Sequence, residues 1–80
     1  MNLSTGKNVG ANSESYLQIA ERHVREGEMR VTRQKTLLME MIRDNHPSCA
    51  AMARVVLTTF QVSLSLFREH VDYLRTRPEL

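Results

Sequence analysis

The second half of the chain carries more apolar surface than one neighbouring helix can cover. At about 100° per residue, the apolar side chains between residues 52 and 74 span an arc of roughly 220° on a helical wheel. A surface helix of a small domain needs an apolar stripe of only about 100° or somewhat more. The pattern therefore predicts a helix over about residues 48–76 with more than one partner. The arc consists of Met52, Val55, Val56, Leu57, Phe60, Val62, Leu64, Leu66, Phe67, Val71, Tyr73 and Leu74.

This arc divides into two stripes at helical spacing, and each stripe has its own expected neighbour. We expect one stripe to pack against another helix of the same chain and the other to form an oligomer interface, most simply with a second copy. A different protein is the main competitor for that second stripe. The stripe assigned to the hairpin consists of Ala53, Val56, Phe60, Leu64, Phe67, Val71 and Leu74. The stripe assigned to the oligomer interface consists of Val55, Thr59, Val62, Leu66 and Tyr73.

A narrower apolar seam runs along the first half of the chain. Its members alternate three and four residues apart, which is a heptad-like pattern over about three and a half heptads. The seam consists of Leu17, Ala20, Val24, Gly27, Val31, Gln34, Leu38 and Met41. It predicts a helix over about residues 13–44, with Ser13 as the N-cap and Glu14 in the first turn. Residues 1–12, rich in Asn, Gly, Ser and Thr, are predicted to be a disordered tail.

The segment Asn45-His46-Pro47-Ser48 separates the two helices. A residue before proline avoids the helical region, whereas proline itself suits a first helical turn and Ser48 is an alternative N-cap. A connection this short makes the helices antiparallel neighbours. The predicted fold is all-α: a coiled-coil-like two-helix hairpin over residues 13–77, with its turn at 45–48, that dimerises into a four-helix bundle.

The turn also sets which residues face each other across the hairpin. With the turn centred between residues 46 and 47, Gly27 is expected opposite Leu66 and Phe67, so that a missing side chain accommodates large ones. The predicted hairpin core consists of Val24, Gly27, Val31, Leu38, Val56, Phe60, Leu64, Phe67 and Leu74.

Composition adds limits rather than a function. The chain has 80 residues, a formal net charge of +2 and one cysteine, Cys49, so an internal disulfide is excluded and a reducing compartment fits. The first residues lack the apolar run of a signal peptide, and no stretch approaches the roughly 18 apolar residues of a membrane span. We therefore expect a cytoplasmic protein with no membrane partner.

His23 and His70 are the best candidates for a metal or phosphotransfer site, but they do not complete either kind of site. The predicted register brings His23 near His70, and two imidazoles with a nearby glutamate could hold a transition metal. The alternative is a polar layer at the seam edge, and neither histidine has the sequence context of a phosphotransfer site. We expect no bound metal, no cofactor and no catalytic residue, since the chain also lacks a phosphate loop and a nucleophile elbow.

Nucleic-acid binding is the alternative function, through the basic residues of the first helix. The candidate contacts are Arg30, Arg33, Lys35 and Arg43. A helix that tracks phosphates normally carries a denser basic stripe. Glu21 with Arg25 and Glu26 with Arg30 are spaced as i,i+4 ion pairs, which suits a solvated face.

Short motifs in both helices resemble a loose group of short bacterial helical-hairpin proteins of unassigned function. The likeness covers about residues 17–74 and lies in Ala20-Glu21-Arg22-His23-Val24, Glu26-Gly27-Glu28, Arg33-Gln34, Leu57-Thr58-Thr59-Phe60, Ser63-Leu64 and Arg68-Glu69-His70. Members often have Gly-His-Asp at the turn, where this chain has Asn45-His46-Pro47, and a histidine at the position of Phe67. The resemblance implies a bacterial origin and a helical hairpin, and it implies no activity.

Together these patterns predict a non-enzymatic helical hairpin that self-associates as a homodimer. Its expected role is that of a small protein-interaction or regulatory module, and its partner is expected to be a second copy, with another protein as the alternative.

Overall fold

A computed structural model describes residues 14–77, which form two helices joined by a tight turn. Helix α1 spans Tyr16–Arg43 and helix α2 spans Pro47–Thr76, and the two pack against each other. The all-helical hairpin expected from the apolar pattern is therefore confirmed. The predicted disordered tail over residues 1–12 and the predicted cap at Ser13 lie outside the described residues.

Helix α1 begins with a reciprocal cap. The Ser15 hydroxyl accepts a hydrogen bond from the Gln18 amide at 3.0 Å, and the Gln18 side chain accepts one from the Ser15 amide at 2.9 Å. This capping box satisfies two backbone donors that the first turn leaves without helical partners. The sequence carries the signal for this cap in Ser15-x-x-Gln18, two residues after the predicted cap at Ser13.

The turn consists of three residues, and Asn45 makes it possible. Asn45 adopts a φ of 58°, in the left-handed region, just after the end of α1. Its amide donates to the Ile42 carbonyl at 3.1 Å and the His46 amide donates to the Met41 carbonyl at 2.9 Å. This pair of bonds is a Schellman motif, in which asparagine replaces the more usual glycine. Helix α2 then begins at Pro47, so Ser48 lies inside its first turn and not at the cap.

The contact between the helices follows the seam of α1. All eight seam residues, from Leu17 to Met41, are buried or half-buried. The residues that are buried most completely are mainly small or branched: Ala20, Gly27, Val31, Ala50, Ala53, Leu64 and Val71. Small side chains at these positions let the two helices approach closely.

Gly27 faces Leu64 and Phe67, whereas the predicted partners were Leu66 and Phe67. A Cβ atom at Gly27 would lie 3.1 Å from Leu64 Cδ1 and 3.6 Å from Phe67 Cδ2. Leu66, expected beside Gly27, is instead 58% exposed. Leu66 points away from Gly27 because it lies about 160° around α2 from Leu64, whereas Phe67 lies only about 60° from Leu64 and shares its face.

The predicted core residues differ in how far the hairpin covers them. Gly27, Val31 and Leu64 are buried. Five others are half-buried: Val24, Leu38, Phe60, Phe67 and Leu74. Val56 is still 38% exposed. It lies where the stripe that faces α1 meets the stripe that does not.

Candidate interaction surface

A continuous row of apolar side chains on α2 is left uncovered by α1. We call this row the apolar stripe, and it consists of Met52, Val55, Thr59, Val62, Leu66 and Tyr73. Its five large members are between 56% and 70% exposed. Its members follow one another at three and four residues, with one step of seven, which is the spacing of a coiled-coil seam. The five residues predicted for the oligomer interface all belong to it.

Thr59 is the one polar residue of the apolar stripe, and its hydroxyl hydrogen is already used in a hydrogen bond within α2. The Thr59 hydroxyl donates to the Val55 carbonyl of the same helix at 3.1 Å. Threonine in a helix often makes this bond one turn back, and the bond satisfies its donor. A partner that covered Thr59 would therefore leave no hydroxyl hydrogen unpaired.

Among residues 14–77, the ion pairs that join the two helices lie along one edge of their contact. Arg68 donates to Glu28 at 3.1 Å and Arg75 donates to Glu21 at 2.9 Å. Arg68 and Arg75 are seven residues apart and share a face of α2, on the side of the core away from the apolar stripe. Glu21 is thus paired across the hairpin and not with Arg25, which the sequence had suggested. Glu26 likewise pairs with Arg22 and not with Arg30, with 3.8 Å between Arg22 Nε and Glu26 Oε2.

The opposite edge holds both candidate histidines. His23 lies against the Phe67 ring with centroids 5.3 Å apart, and His23 and His70 both line an open groove of about 250 Å³. Tyr16, Leu74 and Arg77 also line it. Among residues 14–77, no three His, Cys, Asp or Glu side chains come close enough to hold a metal ion. The two imidazoles therefore line one groove, as the predicted register requires, but no third metal ligand joins them among residues 14–77.

The basic residues of α1 do not form a track. Arg30, Arg33, Lys35 and Arg43 are all exposed, but at about 100° per residue they point in different directions around the helix. Arg43 also pairs with Asp44 at 3.1 Å. A surface for a phosphate backbone needs such charges on one side.

The exposed apolar residues of α1 are similarly dispersed, in contrast to those of α2. They are Tyr16, Met29, Leu37, Met39 and Ile42. Met39 and Ile42 are neighbours near the turn. Met29 and Leu37 line one open groove in which charged residues such as Arg33 and Glu40 separate them from a continuous apolar row. Isolated apolar residues are normal on a protein surface, whereas a continuous row indicates an interface.

Helix α2 also has the length and composition of a membrane span. An 18-residue window of this helix reaches a mean hydropathy of 1.4, and 17% of that window is buried. The expectation that no stretch approaches a membrane span is therefore wrong for α2. The average is high because Arg54 is the only charged residue between Pro47 and Phe67. Core helices of soluble proteins can be as long and as apolar as this one, so length and composition do not place α2 in a bilayer.

Comparison with protein-family models, with curated proteins and with solved structures gave no match. The resemblance to short bacterial hairpin proteins therefore stays a prediction. The surfaces of the hairpin itself are the basis for assigning a function.

Proposed function

We propose that this protein is a non-enzymatic, small protein-interaction or regulatory module that works by self-association. Two hairpins pair through their apolar stripes and form a homodimeric four-helix bundle. One observation carries this proposal: the spacing of a coiled-coil seam persists along α2 on a face that α1 does not reach.

The extent of the apolar stripe supports a helical partner. Met52 and Tyr73 are 21 residues apart, so the stripe is about 31 Å long at 1.5 Å per residue. A row this long and narrow matches the seam of another helix better than it matches a compact ligand. A second copy supplies a matching stripe without any further component.

Gel filtration with light scattering tests the proposal on the full chain. We expect a species of twice the 9.2 kDa chain mass at micromolar concentration. A helical, folded monomer would contradict self-association. If that monomer bound vesicles of phosphatidylcholine and phosphatidylglycerol, the apolar stripe would be a membrane-binding face instead.

A pair of adjacent substitutions tests which face is involved. Leu66→Glu removes an exposed stripe side chain from both subunits, each worth about 1.5–3 kcal/mol when buried, and should weaken the dimer at least about 100-fold. Ser65→Glu introduces the same charge one residue away without removing an apolar side chain, and should weaken the dimer far less than Leu66→Glu. Equal effects of the two substitutions would show that the apolar stripe is not the interface.

A further inference from the structure

The charged residues of α2 fall into two groups. Arg68 and Arg75 are used inside the hairpin, where they pair with Glu28 and Glu21. Within residues 14–77, neither Arg54, Glu69 nor Asp72 has an ion-pair partner. All three are exposed. The unpaired charges of α2 are thus a single base in its first half and two acids in its second half.

These three residues lie along the same side of the apolar stripe. On a wheel of about 100° per residue, Arg54 and Asp72 coincide, and Glu69 lies between them and the stripe. Glu69 also continues the three-and-four spacing from Leu66 to Tyr73. Glu69 borders the stripe, whereas Arg54 and Asp72 lie farther round α2, beside grooves that α1 residues also line. A helix packed on the stripe therefore meets Glu69 directly and meets Arg54 and Asp72 at its flank, near opposite ends.

No contact within one chain can bring these charges together. Arg54 and Glu69 are 15 residues apart on one rigid helix, which is about 22 Å. A second copy with α2 running in the opposite direction can do so. The midpoint between Arg54 and the acidic pair lies at residue 62, and the midpoint of the stripe from Met52 to Tyr73 lies between residues 62 and 63. One axis therefore aligns both the apolar stripes and the opposite charges.

A parallel arrangement is less favourable on the same grounds. It would place Glu69 against Glu69 of the second copy in an apolar seam, and like charges in such a place oppose association. In a parallel pair, the charged flank of one α2 lies on the opposite side of the interface from the charged flank of the other. Arg54 of one copy therefore cannot neutralise Glu69 and Asp72 of the other.

We infer that the two copies pair antiparallel along α2, about a two-fold axis near Val62, with Arg54 of each chain beside Glu69 and Asp72 of the other. This inference rests on the proposed self-association and adds its direction, its centre and its charge contacts. The two hairpin turns then lie at opposite ends of the dimer, and the α2 helices form its central contact.

Cysteine cross-linking in the full chain distinguishes the two directions. In a background in which the exposed Cys49 is replaced by Ser, Val62→Cys lies near the axis and should form a covalent dimer on oxidation. Met52→Cys should not, because the two thiols would be about 30 Å apart. Cross-linking of both variants would show a parallel dimer and overturn the inference, while leaving self-association standing.

A charge-reversal cycle tests the contacts independently. Arg54→Glu, and separately Glu69→Lys combined with Asp72→Lys, should each weaken the dimer roughly tenfold in sedimentation equilibrium, and all three changes together should restore most of the affinity. Lys35→Glu, an exposed reversal on α1, controls for net charge and should leave the affinity within about twofold. Failure of the combined variant to recover would refute the Arg54 contact. A wild-type chain that stays monomeric would overturn both the proposed function and this inference.

Discussion

Gly27 lies close against Leu64 and Phe67 of α2, and enlarging this residue tests the packing directly. A Cβ atom here would meet Leu64 Cδ1 at 3.1 Å, Phe67 Cδ2 at 3.6 Å and Leu64 Cβ at 3.7 Å. Only the first of these distances is shorter than ordinary van der Waals contact, which is about 3.5–4.0 Å between carbon atoms. The atom concerned is the end of a leucine side chain, which can move by a few tenths of an ångström.

The expected effect therefore depends on the size of the new side chain. Gly27→Ala gains about 1 kcal/mol of helix propensity and loses part of it to the shift of Leu64, so its stability should stay within about 1 kcal/mol of the wild type. Gly27→Leu adds three more carbons to space that Leu64 and Phe67 already fill. Overpacking of this kind costs about 1–3 kcal/mol or more, and it should outweigh the gain in propensity.

Urea unfolding followed by circular dichroism, at several fixed chain concentrations, measures both changes. Arg25→Leu is the matched control, since it adds the same side chain two residues away at an exposed position and should change stability by less than about 0.5 kcal/mol. A Gly27→Leu variant as stable as the wild type would show that the helices do not meet closely at this point. A Gly27→Ala variant as unstable as Gly27→Leu would show that Leu64 cannot yield.

Three further changes probe the ends and edge of the hairpin, each measured by the same unfolding assay. Asn45→Ala should cost about 1 kcal/mol because alanine tolerates the left-handed backbone poorly, whereas Asn45→Gly should be neutral or stabilising; equal values would argue against the left-handed turn. Ser15→Ala should cost about 1 kcal/mol through loss of the capping box with Gln18, and Ser13→Ala serves as its comparison. A double-mutant cycle on Glu28 and Arg68 should give a coupling below about 1 kcal/mol that falls with salt, as expected of a half-exposed ion pair, and a larger coupling would mean that the pair is better shielded than its exposure indicates.

Helical periodicity predicted the arrangement of apolar residues but not the contacts between charges. The seam from Leu17 to Met41 could be recognised because burial on one side of a helix repeats every three to four residues. The pairing of Glu21 with Arg75 depends on residues 54 positions apart and on the exact register. Counting residues from the turn gives the height of a side chain along the helix but not its direction, so it placed Leu66 beside Gly27 although Leu66 lies about 160° around α2 from Leu64. The exposure of Val62 and Leu66 followed from the arc alone, because one helix covers only part of another.

The three-residue turn also sets the order in which the hairpin should assemble. Contacts next to Asn45 close short loops, whereas those near Tyr16 and Thr76 join residues at the two ends of the described segment, and the entropy of closing a loop grows with its length. We expect the helices to zip together from the turn outward, with the distant end forming last and fraying first. Amide hydrogen exchange should then be fastest in the outer turns of both helices and slowest beside Ala50 and Ala53.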